Sequence, residues 1–124
     1  MELSAKRFAD AVVLTPTGRI DHGTAEAFRG ALGPHLERCA AGRDQVVLDL
    51  AGVDYISSAG LRVLMLAKKQ AKVQGGSFAI AGLQPAVREI FEISRFTVIF
   101  DIFATVRDAL ARLSPSGLAA FDAA

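Results

Sequence analysis

Cysteine occurs once in the 124 residues, at Cys39, so no internal disulfide and no cysteine-based zinc site can form. Histidine occurs twice, as His22 and His35, neither with a metal-ligand companion at useful spacing. No charge sign dominates. The 14 basic and 13 acidic residues leave a net charge of +1, which argues against a general nucleic-acid binder, because such domains carry a clear basic excess. Long apolar runs are missing too. Met1 to Arg7 lacks the apolar core of a signal peptide, and the most apolar late run, Phe96 to Val106, contains Asp101 and is too short to span a bilayer. The phosphate-cradling motifs G-x-x-x-x-G-K-[ST] and G-x-G-x-x-G are absent, which leaves nucleotide-dependent catalysis without a motif. These absences point to a cytoplasmic, soluble protein with no membrane insertion, no direct nucleic-acid partner and no cofactor.

What is present is apolar and globular in proportion, with 52% hydrophobic and 22% charged residues in a chain long enough for one core. Leu3 to Phe8 and Val12 to Thr17 read as a hairpin around Ala9-Asp10-Ala11. Thr24 is a candidate N-cap for a first helix whose inner side carries Phe28, Leu32, Leu36 and Cys39, with a kink or break expected at Gly33-Pro34. On that side Cys39 acts as a small buried hydrophobe, not a reactive thiol. Gln45 to Leu50 is a near-continuous apolar strand of the kind covered in a parallel sheet. Ser77 to Ala81 and Val98 to Phe103 are further strands, separated by a helix opening at Gln84-Pro85. Thr105 to Asp108 approximates a capping box for a helix through about Leu113, and residues 114–124 form a tail with little to hold it, expected to be flexible. Alternation of helix and strand implies parallel neighbours joined by right-handed crossovers.

The organising stretch runs from Val53 to Lys72. Ser57-Ser58-Ala59-Gly60 opens a helix at which a serine can cap an unpaired N–H, or carry a phosphate at low electrostatic cost. The helix ends near Gln74, where Gly75-Gly76 supplies the left-handed terminator. At 100° per residue, Val63, Leu64, Leu66, Ala67 and Ala71 share one apolar side. Ser58, Leu61, Arg62, Met65, Lys68, Lys69 and Lys72 share the other. Two readings of that second side stand together: a solvated lysine face with two stray apolar residues, or a docking ridge with an apolar centre and a basic rim.

The run Asp54-Tyr55-Ile56-Ser57-Ser58-Ala59-Gly60-Leu61 resembles the signature of STAS domains, specifically of bacterial anti-sigma factor antagonists. Thr17-Gly18-Arg19-Ile20-Asp21, the strand Val46 to Leu50, and Ile99-Phe100-Asp101-Ile102-Phe103 followed by Thr105 are similar to other parts of that family, so the resemblance covers about Leu3 to Leu113. It implies an α/β fold: a single STAS-like domain over residues 1–113, with a mixed, mainly parallel sheet and helices covering one face. It also implies a partner-switching regulator that binds an anti-sigma factor with serine kinase activity and is phosphorylated on Ser58. Ser57 is the alternative acceptor, standing where many phosphorylated members have Asp. The partner surface expected comprises Asp21, whose loop the resemblance puts near the acceptor, Asp49 by its place near the end of the central strand, and Leu61, Arg62, Met65, Lys69 and Lys72 by their helical spacing on the ridge. The expectation is therefore a regulator and not an enzyme. A STAS subunit of a membrane transport or signalling complex, not switched by phosphate, is the first alternative. A small serine enzyme built on Ser58, His22 and Asp21 is the second, although Ser-Ser-Ala-Gly is not the G-x-S-x-G elbow of hydrolases.

Overall fold

The computed structural model describes all residues, Met1–Ala124. Six strands form the sheet: β1 (Glu2–Phe8), β2 (Ala11–Ile20), β3 (Gln45–Asp49), β4 (Val53–Ile56), β5 (Phe78–Ala81) and β6 (Asp101–Phe103). Five helices accompany them: α1 (Ala25–Glu37), α2 (Ser58–Val73), α3 (Pro85–Ile93), α4 (Val106–Leu113) and α5 (Pro115–Ala123). A 3-10 turn, Phe96–Val98, precedes β6. β1 and β2 pair antiparallel through a turn in which Ala9 takes φ 55°, and β1 lies at the sheet edge. All other pairings are parallel, in the order β1-β2-β3-β5-β6. The mixed, mainly parallel α/β domain expected from the alternation together with the family resemblance is the fold observed.

One strand has no counterpart in the sequence reading. β2 is ten residues long and serves two partners in tandem: β3 on Ala11 to Leu14, then β4 on Gly18 to Ile20, with a register shift between Gly18 and Arg19. β4 thereby delivers the chain to the start of α2 alongside the end of β2.

The sheet is buried on both faces, which explains the unbroken apolar run of β3. Val12, Leu14, Val46, Leu48, Phe78 and Ile80 point to one face and form a core with Phe28, Leu32 and Leu36 of α1, Leu64, Ala67 and Ala71 of α2, and Val87 and Phe91 of α3. The alternate residues Ala11, Val13, Val47, Ala79 and Ala81 point to the other, where Ala109 and Leu110 of α4 pack against them. Helices thus lie on both faces, where one covered face was expected. The alanines on the second face leave room for α4 to approach closely.

The expected flexible tail at 114–124 is corrected by the structure, because Pro115 to Ala123 form α5. Ser114 is its N-cap and accepts from Gly117 N at 2.8 Å; its own hydroxyl donates to Asp10 Oδ1. Phe121 meets Phe8 edge-on at 5.2 Å, and Arg107 pairs with Asp122 at 2.9 Å. Ser114-Pro115 therefore ends α4 near Leu113 as expected and also starts a further helix, which was not expected.

Of the kink or break expected at Gly33-Pro34, the break does not occur: α1 continues through Pro34 to Glu37. Gly30, whose carbonyl loses its partner N–H to the proline, is exposed, so water can take that bond. α2 ends as expected, with Gly75 at φ 74° and Gln74 Nε2 donating to the Leu36 and Cys39 carbonyls, both at 2.8 Å. Those two bonds tie the ends of α1 and α2 together.

Candidate functional site

The start of α2 is built by β2 and β4 acting together. Ser57 N donates to Ile20 O at 2.8 Å, and Ser57 Oγ accepts from Gly60 N at 3.3 Å as the N-cap. Ser57 is 6% exposed, so its hydroxyl faces inward and is occupied by the helix itself. Ser58 is the first helical residue, and its side chain is exposed. The two serines, equivalent in sequence, are thus separated by position: one caps, the other faces solvent. Gly60 lies against the sheet, where a Cβ would stand 2.7 Å from Ile20 Cγ2 and 2.7 Å from Ile56 Cγ1. That close approach sets both the height and the rotation of α2.

Asp21 follows Ile20 directly, so its loop sits beside the α2 start. Its Oδ1 accepts from Gly23 N at 2.9 Å and from Thr24 N at 3.1 Å. Partial desolvation pushes the Asp21 carboxyl up, but these bonds, together with Thr24 and Arg19, outweigh it and hold the carboxyl below the usual carboxylate range. Asp21 therefore closes the turn that leads into α1, while Thr24 holds the N-cap position without a side-chain cap bond; its Oγ1 donates to Arg19 O at 2.8 Å and accepts from Asp21 N at 2.9 Å. With its Oδ1 directed at these backbone groups, Asp21 does not form a relay with the exposed His22.

Asp49 is used differently. Its Oδ1 accepts from Ala51 N at 3.0 Å, and its backbone is in register with Ala81, so it shapes the β3–β4 turn.

Two residues beside the site escaped the sequence reading. The Arg19 guanidinium lies 4.3 Å from the Tyr55 ring centroid and its Nε 3.7 Å from Asp21 Oδ2. Both belong to the β2–β4 pairing, in which Arg19 is in register with Tyr55. Without β4 in the reading, no sequence signal would have joined them.

The ridge on α2 needs one exchange. Leu61, expected outside, is only 7% exposed and joins the core; Leu66, expected inside, is 47% exposed. The contact of Gly60 with Ile20 and Ile56 rotates the helix so that the buried arc takes in position 61 and releases position 66. Arg62, Lys69 and Lys72 are exposed and Met65 half-buried, as the ridge requires. Lys72 also lines a shallow groove of about 440 Å³ with Lys68, Arg112 and Asp101, at the end of α2 opposite Ser58.

Comparison with known proteins agrees with this geometry. The family model described as the STAS domain matches residues 2–109. BtrV of Bordetella bronchiseptica, a proposed anti-sigma factor antagonist, is 38% identical over 90% of this chain and 92% of its own. Among solved structures, an anti-sigma factor antagonist from Mycobacterium paratuberculosis superposes with a TM-score of 0.81 at 23% identity, over 90% of this chain and 92% of that one. The Bacillus protein SpoIIAA in its phosphorylated form superposes with a TM-score of 0.65 at 16% identity, over 90% of this chain and 98% of that one. At such identities the two structures speak for the fold alone.

Proposed function

The chain belongs to the STAS domain family, and we propose that within it the protein works as an anti-sigma factor antagonist switched by phosphorylation of Ser58. The observation that carries this reading is the separation of the two serines. Ser57 is buried and occupied as the cap, while Ser58 presents its hydroxyl to solvent at a helix N-terminus, where a phosphate is electrostatically favoured. The relative BtrV supports the class of activity.

In the unmodified state the partner, an anti-sigma factor with serine kinase activity, docks around Ser58 with Arg62, Met65, Lys69 and Lys72 beneath it and the Asp21 loop at its side. Asp21 acts by holding the loop's shape, and Asp49 by holding the β3–β4 turn. Phosphorylation adds about −1.5 to −2 charge in the middle of that contact, and the complex separates. The protein is a binding regulator and not an enzyme, it acts in the cytoplasm, and no helix is long and apolar enough to cross a membrane.

The test is incubation with ATP and the purified kinase partner, followed by site-resolved mass spectrometry. Phosphate on Ser58, and its loss in Ser58→Ala, is the expected result. Phosphate on Ser57 would overturn the assignment, and no phosphate would favour an unswitched STAS subunit.

A further inference from the structure

We propose that the exposed face of α2 beyond Ser58, centred on Leu66 and Val73, receives an acidic amphipathic helix of the anti-sigma partner; this rests on the reading above and extends it. Arg62, Leu66, Lys69 and Val73 follow the steps i, i+4, i+7 and i+11, which place them within one 60° arc at 100° per residue. Leu66 is 47% and Val73 86% exposed, so two apolar side chains stand in solvent two turns apart, with cations between and beside them.

The charge on α2 sets the chemistry of the occupant. The helix carries Arg62, Lys68, Lys69 and Lys72 and no carboxylate, whereas α1, α3, α4 and α5 each contain at least one. Outside α2 the chain has ten basic and thirteen acidic residues, so the positive charge is concentrated on this one element. The ion pairs of the fold are Arg7–Asp44, Arg19–Asp21, Arg29–Glu26 and Arg107–Asp122, and none uses an α2 cation. The helix dipole accounts for Lys72 in the last turn but opposes Arg62 near the start. The stripe therefore does not serve α2's own stability.

A second copy of the chain is a poor occupant, because a twofold contact through α2 would set its cations against each other. A partner helix with apolar residues seven apart, flanked by Asp and Glu, matches both the spacing and the charge. The sixteen residues of α2 span about 24 Å, so the partner helix would contact it over three to four turns. Such an acidic partner is also the kind that a phosphate on Ser58 repels.

The experiment measures binding of the purified cognate anti-sigma factor by titration calorimetry to wild type, Leu66→Gln, Val73→Gln and the double variant Leu66→Glu/Val73→Glu. Each Gln variant should weaken binding by roughly tenfold, as expected for losing one buried aliphatic contact. The double Glu variant should weaken it by more than the two together. Thermal midpoints should stay at the wild-type value. Wild-type affinity in the double Glu variant would overturn the stripe and leave the antagonist reading standing. Failure of wild type to bind would overturn both. Sedimentation that shows a dimer dissolved by Val73→Glu would assign the face to a second copy. Co-sedimentation with phosphatidylserine vesicles, lost in the double variant, would assign it to a lipid surface.

Discussion

Replacing Gly60 by alanine adds one methyl group at the joint that positions Ser58. In a helix interior, glycine to alanine ordinarily stabilises by about 0.5–1 kcal/mol. Here the new methyl would lie 2.7 Å from Ile20 Cγ2, 2.7 Å from Ile56 Cγ1 and 3.2 Å from the Ile20 carbonyl oxygen. Favourable carbon contacts lie at about 3.5–4.0 Å, so two contacts are short by about an ångström. Both isoleucines are buried and β-branched, with little freedom to turn aside, and the carbonyl is fixed by its bond to Ser57 N. Overpacking of this kind costs about 1–3 kcal/mol, and two contacts this short fall in the upper half of that range, about 2–3 kcal/mol, which against the helix gain leaves a net loss of about 1–2.5 kcal/mol. At about 3–5 °C per kcal/mol for a domain of this size, the melting midpoint should fall by about 3–12 °C. Gly30→Ala is the matched control: it too lies within a helix, has nothing within 4 Å of the added Cβ, and should raise the midpoint by about 2–5 °C. Differential scanning calorimetry of the two variants reads both signs in one experiment. A Gly60→Ala protein as stable as wild type would refute the claim that this contact sets the height and rotation of α2.

Three further outcomes follow from the same structure. Cys39 is buried, and that burial pushes its thiol up to about 11, so at pH 8 about one molecule in a thousand carries the thiolate; a thiol-reactive dye should label it only as fast as the protein opens, and rapid labelling of native protein would contradict its burial. Asp44 accepts from Arg7 at 3.0 and 2.9 Å, and those bonds hold its carboxyl below the usual range against the opposing effect of burial. Its stabilising contribution is complete above the unfolded value of about 3.9 and is lost as pH falls through the lower folded value, so urea midpoints should drop between pH 5 and pH 3 by more in wild type than in Asp44→Asn. Phe121→Ala should cost about 1–3 kcal/mol by removing the edge contact with Phe8, and an unchanged urea midpoint would return residues 114–124 to the status of a loose tail.

The parts of the fold that could be read from the sequence were those whose periodicity and local capping agree. β3 and β5 were legible as apolar runs, α3 as a helix opening on proline, and α2 by its serine start and glycine stop, because each signal is contained in a few adjacent residues. β4 was not, since four residues following β3 so closely acquire strand identity only by pairing with the far end of a long β2. The exchange of Leu61 and Leu66 has a similar origin. Residue angles give the relative order of side chains around a helix but not which arc meets the sheet, and Gly60 decides that through contacts with residues 40 and 4 positions away. Ser58 was identified from its motif. That it alone of the two serines faces solvent follows from the Ser57 bonds to Ile20 and Gly60. The tail was misread because α5 is alanine-rich with weak amphipathic patterning, and its anchors, Phe8 and Asp10, lie more than a hundred residues earlier.

The most direct test of the account is the affinity of the purified anti-sigma factor for two forms of this chain, one unmodified and one carrying phosphoserine at position 58 by genetic encoding, so that no kinase reaction is needed. The account predicts tight binding of the unmodified form and a loss of at least about tenfold on phosphorylation, in keeping with about two negative charges placed inside the contact, while the melting midpoint of the isolated protein does not fall. Equal affinity of the two forms would contradict it.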